Sequence, residues 1–412
     1  PLLVGLAIGI YGLSQGILQI PFGLLSDVIG RKTVVAGGLL LFIVGSFVAG
    51  MAESIYGLIL GRFLQGCGAI ASTLLALMSD LTRVDQRGKS MAIIGVAIGS
   101  SFGLALVLGP IVAGAWGLAG VFYLTGLLGL AGLALLVLLI PSPQVMSVNL
   151  DSAVQQHRMK LVLQDLVLWR MNVSVFFLHF MLVSGFSVFP LLFADTGRIA
   201  TDDHSLYYLV LLIGSFLLML PFMRLFDRMP DGKPIMLAMV TFSLVAFLLL
   251  GTWQSYVMVL VGMTLFFMAF NLLEVVLPAQ LSKIASAGAR GTAMGVYTTC
   301  QFLGIFAGGV VSGLILTAWD VAAVMYVNAA LIVIWLGMLI TFPRLGEIGS
   351  RTVALGKLAE RPAKECIDGL LSVDGVIDAV IIEADQVAYL KVDEQRFDDH
   401  LLRQMVDQNS NA

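Results

Sequence analysis

Eleven stretches of this chain stay apolar for about the length of one bilayer crossing, and few folds survive that constraint. They are Leu2–Leu25, Val34–Ala52, Ile55–Ser79, Ser90–Val112, Leu118–Ile140, Val173–Phe193, Leu206–Phe226, Ile235–Gly251, Tyr256–Pro278, Thr292–Leu316 and Val321–Phe342. A helix needs about 20 such residues to cross the hydrocarbon core. Inside lipid, helices and closed barrels alone satisfy their own backbone hydrogen bonds. Of the 412 residues, 59% are hydrophobic and 12% charged, against about 25% charged in a soluble domain. Water cannot solvate such a surface, so the lipid bilayer must. The expected class is all-α membrane.

The apolar stretches also repeat as a set. Pro21-Phe-Gly-Leu-Leu-Ser-Asp27 returns as Pro221-Phe-Met-Arg-Leu-Phe-Asp227, and Arg87-Gly88 as Arg290-Gly291. Gly109-Pro110-Ile-Val-Ala-Gly114 returns as Gly308-Gly309-Val-Val-Ser-Gly313. The offsets of 200, 203 and 199 residues differ by no more than loops absorb. A repeat at half the chain length within apolar sequence reads as two helical halves with a site between them. Moved back by one repeat, the span within residues 171–200 falls before Pro1. The expectation is therefore a six-plus-six protein whose first span precedes Pro1. Residues 1–140 form the N-terminal bundle, 141–170 a polar linker, 171–342 the C-terminal bundle and 343–412 a separate tail.

Lys and Arg set the orientation. Thirteen of them, from Arg31 and Lys32 through Arg170 to Lys283 and Arg290, lie in the loops after alternate spans, whereas the opposite loops hold only Arg198. The basic loops and the tail are expected on the cytoplasmic face of an inner membrane.

Three motifs sharpen the class. The loop Gly23-Leu-Leu-Ser-Asp27-Val-Ile-Gly30-Arg31-Lys32 forces two helices close together through a tight turn at Gly30. Gly61-Arg62-Phe-Leu-Gln65-Gly66-Cys-Gly68-Ala69 puts a cation inside a span, which costs about 2.5–3.5 kcal/mol on insertion scales and calls for a partner or a wet cavity. Gly95, Gly99, Gly103, Gly109, Pro110 and Gly114 recur at helical spacing, where small residues let helices approach and a proline permits a kink. The first motif resembles the hallmark loop of the major facilitator superfamily, and the second resembles its fourth-helix pattern. The third resembles the fifth-helix signature of that superfamily's drug/proton antiporters, with Ala105 and Ala113 where glycine is usual. The resemblance implies two six-helix bundles, a loop that stabilises one conformation by contacting an acidic residue at the end of the fourth helix, here Asp80, and a partner for Arg62 on the first helix. Val28 replaces the usual arginine, so one arm of that charge cluster is missing.

Proton coupling needs a titratable group at membrane depth, and Glu274 is the carboxylate set deepest within any span. His179 is the second candidate, and Asp27 a third at the loop. Asn271, Tyr297, Gln301 and Phe302 are candidates to line the substrate cavity.

In the tail, Arg351–Leu355, Asp378–Glu383 and Val387–Asp393 read as strands, and Ala363–Leu371 and Phe397–Val406 as helices. This βαββα order suggests a small α+β ferredoxin-like domain. It resembles heavy-metal-associated domains around Val373-Asp-Gly-Val but lacks their Cys-x-x-Cys, so no metal and no cofactor is expected. The net charge of −3 argues against a nucleic-acid partner, and no nucleophile–base pair or phosphate loop suggests an enzyme. The expected function is secondary active transport, as a monomer, in which proton entry drives efflux of a small amphipathic compound. Nutrient uptake and membrane sensing are the alternatives.

Overall fold

The computed structural model describes residues 1–82, 87–142, 159, 162–195, 204–229, 231–252, 255–285, 290–342, 348–355, 363–382, 387–393, 396–399, 401 and 402. The chain begins α1 (Leu2–Ile29), α2 (Arg31–Gly50), α3 (Ile55–Cys67), α4 (Ala71–Leu81) and α5 (Arg87–Leu139). It continues α6 (Leu166–Phe186), α7 (Phe189–Asp195), α8 (His204–Arg228), α9 (Lys233–Thr252), α10 (Tyr256–Ile284), α11 (Arg290–Ala318) and α12 (Val321–Ile340). The tail contributes β1 (Ile348–Ala354), α13 (Ala363–Leu371), β2 (Val376–Ile382) and β3 (Val387–Asp393).

Among the described residues ten helical segments are long and apolar enough to cross a membrane, one fewer than the sequence suggests. The difference is one merger. Ser90–Val112 and Leu118–Ile140 lie on the single element α5, whose apolar segment Ala97–Leu139 has 43 residues. At about 1.5 Å per residue it would reach roughly 65 Å, twice the hydrocarbon core. Its backbone breaks at Gly117, where φ 67° and ψ −175° leave the helical region, a conformation glycine adopts without strain. The Gly109–Pro110 step, where the sequence suggests a kink, keeps helical geometry. A second departure falls in the span Ile55–Ser79, which is interrupted between α3 and α4 at Gly68, Ala69 and Ile70.

The repeat reappears in three dimensions as matching local chemistry. At the start of α2, Lys32 Nζ donates to Val137 O (3.3 Å) and Ile140 O (2.7 Å), closing the C-terminal end of α5. At the start of α9, Lys233 Nζ donates to Ile340 O (2.7 Å) and Phe342 O (2.5 Å), closing α12. Ser54 caps α3 by accepting from Gly57 N, and Ser255 caps α10 by accepting from Met258 N. A lysine at carbonyls that would otherwise be orphaned neutralises the negative end of a helix dipole. The two halves therefore share their capping scheme as well as their hydropathy.

Packing concentrates in two places. The second half holds the main core, with Trp335, Phe189, Phe193, Phe247, Phe266 and Phe267 fully buried. Hydrogen bonds between helices reinforce it, from Trp335 Nε1 to Ser174 Oγ (2.9 Å) and from Asn328 Nδ2 to Ser184 Oγ (2.8 Å). The halves meet along α1 and α11, where glycines bring the backbones into contact. A Cβ added at Gly5 would strike Gly309 O, at Gly9 Phe306 O, and at Gly313 Pro1 O. Toward the other end of α1 the helices separate: Gly16 has Thr299 O at 3.4 Å, and Gly23 meets nothing of α11.

The tail sheet is antiparallel in the order β1-β3-β2, with Ile348 opposite Asp393 and Ile382 opposite Val387. Alternate residues Ala388, Leu390 and Val392 of the central strand are buried with Cys366 and Leu370 of α13. The first strand starts three residues before the predicted one, and α13 and β3 match their predicted ranges. Of the second predicted tail helix, residues 400 and 403–406 lie outside the described residues. Lys391 Nζ on β3 sits 3.7 Å from the Asp165 carboxylate that caps α6, which ties the tail to the second half.

Gly9→Leu is expected to force α1 from α11 and lower stability by about 1–3 kcal/mol. Gly114→Leu, where an added Cβ meets nothing within 4 Å, should leave it nearly unchanged. Thermal unfolding of both variants in detergent micelles reads the contrast.

Candidate functional site

The loop motif assembles at one end of the first half. Gly30 takes a φ of 98°, so α1 turns directly into α2 with no intervening loop. That turn places Arg31 against α4, where its Nε pairs with Asp80 Oδ2 and its Nη1 donates to Ser26 Oγ (3.3 Å). Ser26 Oγ itself donates to Gly23 O (2.6 Å). Arg31 thus meets the acidic residue the motif implies, while Lys32 turns instead to the end of α5. Asp27 lies on the last turn of α1, and its side chain falls outside those described.

Arg62 is held within the described chain. From α3 its Nε donates to Ala7 O (3.3 Å) and its Nη2 to Ile8 O (3.4 Å), both on α1. Its Nη1 donates to Gln65 Oε1 (3.0 Å), and Gln65 Nε2 donates to Ser46 Oγ of α2 (2.8 Å). The guanidinium carbon stands 4.8 Å from the centroid of the Tyr11 ring, a cation–π distance. Gly66 permits the approach, since a Cβ there would strike Tyr11 O and Ser14 Oγ. One cation is therefore answered by carbonyls, an amide and an aromatic face, with no carboxylate among these contacts.

The second half brings together three residues from three helices. His179 of α6, Glu274 of α10 and Gln301 of α11 meet about 15 Å inside the nearer end of α10. His179 Nδ1 lies 3.2 Å from Val175 O. A carbonyl accepts only, so Nδ1 carries the hydrogen and Nε2 presents a lone pair. Gln301 Nε2 donates to that lone pair at 2.8 Å and reaches Glu274 Oε1 at 3.4 Å. Glu274 Oε2 is buried without a hydrogen-bond partner, 3.5 Å from His179 Nε2. Two acceptors face each other there, and a single proton would join them. His179 is nearly enclosed, and Glu274 keeps part of its side chain accessible while its Oε2 is buried.

The other cavity candidates divide. Asn271 Nδ2 donates to Ser215 Oγ of α8 (3.4 Å), away from the cluster. Tyr297 is buried with its hydroxyl unpartnered. Phe302 turns toward the first half and meets Tyr11 edge-on, with ring centroids 6.3 Å apart. Gly99, Gly103, Gly109 and Gly114 of the fifth-helix motif do not serve close backbone approach. Beside Gly109 and Gly114 an added Cβ meets nothing within 4 Å, and Gly103 meets only Leu212 Cδ2 at 3.4 Å. Close approach is found instead between α1 and α11, between α2 and α3 at Gly45 and Gly61, and between α6 and α11 at Gly304 and Gly308. Tyr11 escaped the sequence reading, although its place among Gly5, Gly9, Gly12 and Gly16 was a usable signal.

A membrane-crossing helical bundle in two matching halves, with a polar cluster at depth, has the architecture of a transporter. Residues 1–198 and 188–367 each match the sequence profile described as Major Facilitator Superfamily, and the chain belongs to that family. It is 39% identical over 393 residues to the inner membrane transport protein YajR of Escherichia coli (strain K12), covering 95% of this chain and 86% of that one. It is 25% identical over 322 residues to the quinolone resistance protein NorA of Staphylococcus aureus (strain N315), covering 75% and 80%. A crystal structure of a D-xylose-proton symporter shares the fold at a TM-score of 0.66 and 19% identity, covering 83% and 88%. The protein is thus a multi-pass membrane transporter.

A double-mutant cycle of Arg31→Ala and Asp80→Ala should give a coupling of about 0.2–1 kcal/mol that shrinks with added salt. Both side chains keep between a fifth and a third of their surface exposed. Unfolding midpoints at low and high ionic strength measure it.

Proposed function

We propose that this protein is a proton-coupled secondary transporter that exports a small amphipathic organic compound by alternating access. The observation that carries the reading is the meeting of Glu274, His179 and Gln301 at membrane depth. A proton entering between Glu274 Oε2 and His179 Nε2 removes the clash of two acceptors. It also competes with the Gln301 amide for the imidazole lone pair, so binding a proton and moving α11 against α6 and α10 are one event. An electrochemical gradient contributes about 2.3 kcal/mol per charge for each 100 mV, enough to drive modest accumulation. Export is favoured over uptake by the fifth-helix motif and by likeness to a quinolone resistance protein.

In this reading residues 1–140 and 171–342 are the two rocking bundles, and 141–170 links them. The two arms of α5 on either side of Gly117 are separate crossings. Asn271, Tyr297, Gln301 and Phe302 border the path of the solute, and Gly103, Gly109, Pro110 and Gly114 face the space opened during rocking. The Arg31–Asp80 pair, with Gly23, Gly30 and Lys32, holds one end of the first bundle shut. Residues 343–412 form a cytoplasmic ferredoxin-like domain, supported by the β1-β3-β2 order and by α13 packed on the sheet.

Proteoliposomes holding the full chain under an imposed proton gradient test this. Solute movement across a chemically broad panel that includes a fluorescent quinolone is read together with proton release. Glu274→Gln is expected to abolish proton-driven transport while leaving the thermal unfolding profile unchanged. Unimpaired transport in that variant removes Glu274 from the mechanism, and proton flux that ignores every solute removes antiport.

A further inference from the structure

Between the two polar clusters lies one aromatic contact, and it spans the interface between the halves. Arg62 of α3 stacks on one face of Tyr11 of α1. The Tyr11 ring meets Phe302 of α11 at 77° between planes, an edge-to-face geometry. Phe302 follows Gln301, whose amide reaches both His179 and Glu274. The route from the cation of the first half to the carboxyl of the second therefore runs through two rings and one peptide bond. The backbones on either side leave little slack, because a Cβ added at Gly12 would lie 2.6 Å from Phe302 O. A shift of α11 that follows rearrangement of Gln301 moves Phe302, and Tyr11 cannot keep both its neighbours without moving as well.

We propose that Tyr11 is the positioning residue that couples the halves, carrying the state of the Glu274–Gln301–His179 cluster to Arg62. The proposal rests on the reading of that cluster as the proton site. Tyr11 acts through its ring, not its hydroxyl, since both the cation above it and the ring beside it address the aromatic system. Phenylalanine at this position should then serve, and leucine, of similar bulk but without a ring face, should not. Coupling through a contiguous network needs a measured coupling and not mere intermediacy.

Cys67 supplies the readout in the first half, because it follows Gly66 at the Tyr11 contact and is partly accessible. In full-length protein carrying Cys300→Ser and Cys366→Ser, reconstituted in liposomes at one fixed pH, the rate of Cys67 alkylation by N-ethylmaleimide is measured. Glu274→Gln, which mimics the neutral carboxyl, is expected to change that rate by about fivefold or more. The change should persist with Tyr11→Phe and vanish with either Tyr11→Leu or Phe302→Leu. An undiminished change in Tyr11→Leu overturns the proposal. If Glu274→Gln abolishes proton-driven transport yet leaves Cys67 unaltered, the coupling through Tyr11 is overturned and the proton site stands. If transport survives Glu274→Gln, the proton site falls and the coupling with it.

Discussion

Water does not reach the interior of a bilayer, so a polar group carried there must be answered by the chain itself. The structure follows from that requirement at several scales. Backbone groups are answered by helices, and helix ends by Lys32, Lys233, Ser54 and Ser255. Arg62 is answered by two α1 carbonyls, Gln65 and the Tyr11 ring. At Glu274 Oε2 the requirement is left unmet, as it is at Gln19, Thr73, Asn172, Tyr208, Tyr297, Thr299 and Asn328 Oδ1 among the described residues. An unpaired polar atom buried in such a setting costs about 1–3 kcal/mol, and Glu274 Oε2 is the carboxylate oxygen among them.

The halves share a frame and differ in what they do with it. The α3–α4 segment and α10 occupy equivalent places in the repeat, yet the first is broken at Gly68–Ile70 and the second runs unbroken for 29 residues. The broken one carries Arg62 and packs against α1; the continuous one carries Glu274 and packs in the aromatic core. Helices α1 and α11 join the two, with backbones in contact through Gly5, Gly9, Gly309 and Gly313. Bulky side chains there would have filled the seam with flexible atoms. Glycines leave the two backbones in direct contact, with no flexible side chains between them.

Much of this was legible in the sequence. The two-hundred-residue repeat and the apolar spans were recoverable, because hydropathy and repetition are local properties of the chain, whereas the contact of Arg31 with Asp80 was expected only from the resemblance to a known family. In the tail, α13 and β3 were readable from periodicity alone. At Gly109 and Gly114 the close approach that helical spacing permits is not made. Small residues at helical spacing say that a close approach is permitted, not which neighbour makes it, and in the structure that neighbour is absent beside Gly109 and Gly114. The kink that Gly109–Pro110 permits falls instead at Gly117, whose φ of 67° leaves the helical region, while the backbone at Pro110 stays helical.

By itself the sequence determined that the chain lives in lipid, that it is built twice over, and which of its few titratable residues sit at membrane depth. Those are statements about composition and order. What only the tertiary structure decided is which of them meet. His179, Glu274 and Gln301 are separated by 95 and 27 positions and lie on three helices, so no spacing rule links them. Tyr11 and Phe302 lie still farther apart. Their contact depends on how α1 and α11 rotate and pack, and that is set by shape complementarity across the whole interface.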